Sequence, residues 1–252
     1  MRAPDDIWAY RSEVQSTLKA ILGESLLAIY IGGSTCFGNF RMNVSDIDIF
    51  AFVEKPLADE QKEHIYESLR HDHLPCPAYG LDFIIYRRDQ LQPAPRSPIY
   101  EFSLSTGAHW VDEVDFGGEY PGGIIDLALL REQGIIELGP CPKEFIHPVN
   151  QDGLKEELME GLDWHKHHVH DRFHDPTGAN AVLNACRALR YFAAGELVSK
   201  SEGGSWALSE MPEHEVVSQA LAMRDGERQQ PLSHDDVVAF LEAVEKRAAI
   251  LL

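Results

Sequence analysis

Two stretches decide the fold: Leu26-Leu-Ala-Ile-Tyr-Ile-Gly-Gly-Ser34 and, after a short interval, Ser45-Asp-Ile-Asp-Ile-Phe-Ala-Phe-Val53. An apolar run stopped by two glycines reads as a buried strand that enters a turn. In the second stretch the side-chain period of a strand sends Asp46 and Asp48 to one face and Ile47 and Ile49 into the core. Paired carboxylates on one face repel unless a proton or a cation neutralises them. Their hard oxygens suit Mg²⁺, which is usually held by one or two carboxylates together with substrate phosphates. Gly32, Gly33 and Ser34 supply what a phosphate needs nearby: backbone without a Cβ, amide N–H groups and a hydroxyl. A third acid, Asp82, sits inside the apolar run Leu81-Asp-Phe-Ile-Ile-Tyr86. An unpaired carboxylate within such a strand is costly, so it is expected to reach a site at the sheet's edge or face. If the two Asp-bearing strands are neighbours, three acids converge. That is the equipment for metal-assisted in-line displacement at phosphorus.

Outward from this centre, residues 7–22 have helical apolar spacing, with Asp5 or Asp6 as cap and Gly23 as stop. A polar helix is expected over 57–70 and a third strand over 81–86. Residues 90–123 are rich in Pro and Gly and read as a long surface excursion. A helix over 124–131 and a last strand at Ile135–Leu138 follow, stopped by Gly139-Pro140. Beyond Pro148 strand signals vanish, and helices are expected over 151–169, 179–194, 213–224 and 234–251. The chain is therefore α+β, with a mixed-sheet domain over 1–148 followed by an all-helical domain over 149–252.

With 22 Lys+Arg against 41 Asp+Glu, the 252-residue chain carries a formal charge of −19. This argues against a nucleic-acid groove and against docking on anionic lipid. It favours a cationic small-molecule partner, although acidity also serves solubility alone. No apolar run approaches the roughly 18 residues of a membrane span, and the charged N-terminus is unlike a signal peptide. Cys36, Cys76, Cys141 and Cys186 form no CxxC pair. Structural zinc and a disulfide framework are not expected, and a monomer in a reducing cytoplasm is the simplest reading.

The order strand, Gly-Ser, short helix, Asp-x-Asp strand, helix and Asp-bearing strand resembles the DNA polymerase β-like nucleotidyltransferases. Their Gly-Ser precedes Asp-x-Asp by about ten residues; here eleven lie between Ser34 and Asp46. Further segments narrow the resemblance: Pro121-Gly-Gly-Ile-Ile-Asp-Leu-Ala-Leu-Leu-Arg131, Asn180-Ala-Val-Leu-Asn-Ala-Cys-Arg187, Gly195-Glu-Leu-Val-Ser-Lys200 and Ser205-Trp-Ala207. They are similar to the aminoglycoside adenylyltransferases that modify streptomycin and spectinomycin. The resemblance implies AMP transfer from ATP to a drug hydroxyl, pyrophosphate release and antibiotic resistance, with ATP and drug between a nucleotidyltransferase domain and a helical domain. It implies two Mg²⁺ ions at Asp46 and Asp48, and Asp82 as general base and further metal ligand. It assigns Gly33, Ser34, Arg187 and Lys200 to the ATP phosphates. Trp110, Trp164, Asp171, Asp175 and Asn180 are the drug-binding candidates. The family carries Glu where this chain has Asp82, and residues 165–179 depart from its pattern.

Read from the residues alone, Arg187 lies in a helix of Ala, Val, Leu and Cys and needs an anionic partner, either a triphosphate or a nearby acid. Two other readings stand beside drug modification. One is a nucleotidyltransferase acting on protein or tRNA, as in toxin–antitoxin pairs, against which the acidic balance speaks for tRNA. The other is a non-catalytic nucleotide-binding module, which has no need of a third carboxylate. His165, His167, His168, His170 and His174 crowd one segment, as an exposed helix end, a zinc pair or a stacking surface. Asp112, Glu113, Asp115 and Glu119 make an acidic loop that suits a polyamine or merely solvent.

Overall fold

The apolar run Leu26–Ile31 forms β1, and Ile47–Val53 forms β2, paired antiparallel to it with Ile31 opposite Ile49. The structure, a computed structural model, describes residues 5–42, 44–109, 111–119, 122–172 and 174–251. It divides into two units, one ending at Leu154 and the other beginning at Lys155.

In the first unit, α1 (Asp5–Leu22) precedes β1, and a short α2 (Gly33–Cys36) follows it. After β2, α3 (Asp59–Leu69) crosses over to β3 (Leu81–Arg87), which runs parallel to β2. Residues 90–123 contain more than the expected surface excursion. Ile99–Tyr100 (β4) pairs with Gly118–Glu119 (β7) as a ribbon, while Phe102–Thr106 (β5) and Glu113–Asp115 (β6) extend the main sheet. Phe102, Leu104 and Thr106 are buried and alternate with half-buried Ser103 and Ser105, a short period-two pattern hidden among the prolines and glycines. The unit continues with α4 (Gly123–Gln133), β8 (Ile135–Leu138) and α5 (Pro142–Phe145). The sheet order is β6-β5-β3-β2-β1-β8.

Period-two alternation gives the sheet two buried faces. Ile29, Ile31, Ile47, Ile49, Phe83 and Ile85 pack with α1 and α3. Tyr30, Phe50, Phe52, Ile84 and Tyr86 pack with Leu127 and Leu130 of α4. At the sheet edge, Arg11 of α1 and Glu137 of β8 form a buried ion pair.

The second helical region comprises α6 (Gln151–His167, whose first turn belongs to the first unit), α7 (Ala179–Ala194), α8 (Lys200–Glu210), α9 (Glu215–Arg224) and α10 (His234–Leu251). The sequence reading contained no α8, because Gly203 and Gly204 weaken its helical pattern. Those glycines allow close packing. A Cβ on Gly204 would stand 2.8 Å from Leu221 Cδ2 and 2.9 Å from Leu183 Cδ2, so α8 lies close on α7 and α9. Among the described residues, no helix is long and apolar enough to cross a membrane.

Candidate active site

β2 and β3 are in register, with Asp48 opposite Asp82. Both residues share the parity of Phe50, Phe52, Ile84 and Tyr86, so both belong to the α4 face, at the N-terminal ends of the two strands. Asp46 lies just ahead of β2, two residues before Asp48. The antiparallel return of β1 brings the glycines to the same place, and the Gly32 N–H donates to the Asp48 carbonyl at 2.9 Å.

Gly33 has φ +56°, and a Cβ there would fall 1.7 Å from Asp48 Oδ2. The Asp48 carboxylate therefore rests against the Gly33 backbone, in space that only glycine leaves open. Beside it, the Ser34 hydroxyl oxygen is buried and meets no hydrogen-bond partner among the described residues. A buried hydroxyl is costly in that state, and a phosphate oxygen would satisfy it. The cysteines nearby are chemically quiet. Burial pushes the Cys36 and Cys76 thiols up to about 11, so neither offers a thiolate beside the acids.

Among the described residues, no three His, Cys, Asp or Glu side chains are grouped to hold a metal ion. The expected three-acid ligand set of Asp46, Asp48 and Asp82 is therefore not preassembled. The donors still fit Mg²⁺, which takes few protein carboxylates and completes its shell with phosphate and water. Asp46 and Asp48 are the residues that would hold it.

In the second unit, Asn180, Asn184 and Arg187 line one face of α7 at i, i+4 and i+7. The Arg187 guanidinium donates to Val198 O at 2.9 Å and to Asn184 Oδ1 at 3.2 Å. Lys200, the first residue of α8, donates to Asn180 Oδ1. Its position is set by a capping box: the Glu202 N–H donates to Ser199 Oγ at 3.1 Å, and the Ser199 N–H to Glu202 Oε2 at 2.9 Å. Burial of α8 against α7 brings the two cations to one face, since a Cβ on Gly203 would be 3.1 Å from the Arg187 backbone nitrogen.

The drug-binding candidates fare differently. Asp175 is only 2% exposed, and its two carboxylate oxygens accept the Asn180 and Ala181 N–H groups at the start of α7. It caps a helix, which corrects its expected place against a drug. The Asp171 carboxylate accepts the His174 N–H at 3.1 Å. Trp164 is exposed and stacks on His168, with ring centroids 4.1 Å apart and planes at 14°. His174 meets the same indole edge-on, so stacking is the structural use of these imidazoles. Trp110 lies outside the described residues. In the acidic loop, Asp112 accepts hydrogen bonds from Thr106 and Tyr66, while Glu113 and Asp115 stand exposed on edge strand β6.

His165 and Asn184 were missed as members of the α7 network. Asn184 Nδ2 lies 3.1 Å from His165 Nε2 and 3.3 Å from Asn180 Oδ1. The only sequence signal was the spacing of polar residues on an otherwise apolar helix.

Known proteins share sequence and fold with this chain. Residues 144–247 match the family model described as aminoglycoside adenylyltransferase, C-terminal domain. Spectinomycin 9-adenylyltransferases of Staphylococcus aureus strains Mu50 and N315 are each 24% identical over 222 residues, covering 79% of this chain and 77% of theirs. Among solved structures, the spectinomycin adenyltransferase AAD(9) from Enterococcus faecialis, crystallised with ATP and spectinomycin, superposes with a TM-score of 0.78. It is 17% identical and covers 96% of this chain and 99% of its own, a likeness of fold.

Proposed function

We infer that this chain, an aminoglycoside adenylyltransferase by its C-terminal domain and its relatives, transfers AMP from ATP to a hydroxyl of spectinomycin and releases pyrophosphate. The observation that carries the chemistry is the Asp48–Asp82 register pair, with the Asp48 carboxylate seated on Gly33 beside the unsatisfied Ser34 hydroxyl.

The residues divide the work. Ser34 and the Gly33 backbone hold phosphate oxygens. Asp46 and Asp48 would hold Mg²⁺, which when bound neutralises phosphate charge and polarises the phosphorus under attack. Arg187 and Lys200 grip the triphosphate, each oriented by neutral oxygens of its own unit. Asp82 accepts the proton of the drug hydroxyl as its oxygen attacks the α-phosphorus, and the P–O bond to pyrophosphate breaks in line. Spectinomycin is favoured over streptomycin because both curated relatives and the solved neighbour carry its name. Asn180 and Trp164 remain the drug-facing candidates.

The test is pyrophosphate release from ATP and Mg²⁺ with spectinomycin, streptomycin, kanamycin or no acceptor. Release with spectinomycin, abolished by EDTA, is expected. Nucleotide binding with silence towards all three drugs would overturn the acceptor and leave the nucleotide chemistry.

A further inference from the structure

One buried polar group in the second unit has no part in the chemistry above. His165 of α6 points into the α7 network, where its Nε2 meets Asn184 Nδ2 at 3.1 Å. Its Nδ1 is buried and has no hydrogen-bond partner among the described residues. The protonation of this contact follows from its neighbours. A guanidinium has only donors, so Asn184 must turn its carbonyl oxygen to Arg187. That leaves the Asn184 amide to donate, at once, to His165 Nε2 and Asn180 Oδ1. Nε2 is then an acceptor, and the ring is neutral with its proton on Nδ1. The same Asn180 oxygen accepts from Lys200. One amide, held by one imidazole, thus links the two cations.

We propose that His165 is a positioning residue for nucleotide binding: its neutral imidazole fixes the Asn184 amide, and through it the orientation of Arg187 and Lys200. This rests on the reading that those two cations grip ATP. Burial pushes the imidazole down to about 4, with Lys200 and His168 adding to it, which keeps the ring in the accepting form at neutral pH. Without an acceptor at this place, the Asn184 amide keeps Arg187 and Asn180 as partners but loses its anchor on α6, and the frame shared by the two cations loosens. Glutamine is the conservative replacement, because its Oε1 reaches about as far as Nε2 and accepts without charge.

The experiment measures binding of α,β-methylene-ATP with Mg²⁺ by calorimetry to the full chain, with melting curves alongside. His165→Leu is expected to weaken binding about tenfold, the equivalent of one buried hydrogen bond. His165→Gln is expected to stay within about threefold of the parent. If folded His165→Leu binds like the parent, or His165→Gln is as weak as His165→Leu, the proposal is overturned. Should His165→Leu fail to fold, Asn184→Ala takes its place, and parent-like affinity there overturns the proposal equally. Arg187→Ala separates the two readings: if it binds nucleotide as the parent does, the phosphate-gripping role itself fails.

Discussion

Gly33→Ala tests the seat of the Asp48 carboxylate. The substitution has two consequences. At φ +56° an alanine sits in the left-handed region, which costs about 1–2 kcal/mol. Its methyl would also lie 1.7 Å from Asp48 Oδ2 and 2.3 Å from Asp48 Cγ. Ordinary contact requires the carboxylate to retreat by more than about 1 Å, a misplacement that costs on the order of 100-fold in rate where the group is part of the reacting constellation. Gly23→Ala is the control. Gly23 has φ +52° and nothing within 4 Å of an added Cβ, so it carries the backbone cost alone. Both variants are expected to melt roughly 3–6 °C lower. Only Gly33→Ala is expected to lose spectinomycin-dependent pyrophosphate release, by about 100-fold at saturating ATP. Turnover of Gly33→Ala within about threefold of the parent would refute the place given to Asp48. An equal loss in Gly23→Ala would put the effect down to strain in the first unit.

Asp46→Asn removes a charge and keeps the shape. Turnover is expected to fall by at least about 1,000-fold with the melting temperature unchanged, and retained activity would remove Asp46 from the metal-binding pair. Asp175→Ala deletes a buried cap and is expected to cost about 2 kcal/mol in urea unfolding. The folded variant should keep its affinity for spectinomycin, and a large loss of drug binding would restore Asp175 to the drug site. For His165, the unfolded chain takes up a proton near 6.5 while the folded chain resists until about 4. Stability should therefore fall as pH drops through that window and level off below it. His165 should contribute about 2 kcal/mol of the difference between pH 7 and pH 5, and His165→Gln should remove that share. An unchanged pH slope in His165→Gln would show that the imidazole is not held neutral.

The sheet centre was legible because each of its strands declares itself. Leu26–Ile31 is wholly apolar, and Ile47–Val53 and Leu81–Arg87 each place one acid near the start of an apolar run. A carboxylate in such company has few physical excuses, so the acids mark a candidate site without any knowledge of topology. Their register was not legible. That Asp48 faces Asp82 depends on a parallel crossover, and either residue would change faces with a one-residue slip. The strands inside 90–123 were obscured because β4 to β7 are short and lie among prolines and glycines. Asp175 was misread for another reason. An exposed acid and a buried cap look alike in a polar segment, and only the two backbone N–H groups at the start of α7 tell them apart.

Glycines carried the most ambiguous message in the sequence. One Gly-Gly pair opens the phosphate-side turn and another lies inside α8. Both do the same physical work. Gly33 admits the Asp48 carboxylate where a Cβ would stand, and Gly203 admits the Arg187 backbone, with a Cβ there 3.1 Å from Arg187 N and 3.2 Å from its Cα and Cγ. In each unit, a side chain with a proposed role lies beside a glycine backbone that it approaches closely, at Gly33 more closely than a Cβ would permit and at Gly203 within a tight contact of one. The helix propensity lost at Gly203 and Gly204, about 1 kcal/mol each, is offset by the packing of α8 on α7 and α9. That packing sets Lys200, the first residue of α8, on the Asn180 oxygen two turns from Arg187. Spacing along the chain thus identifies the candidate groups, and the absence of a Cβ at two positions accounts for their geometry.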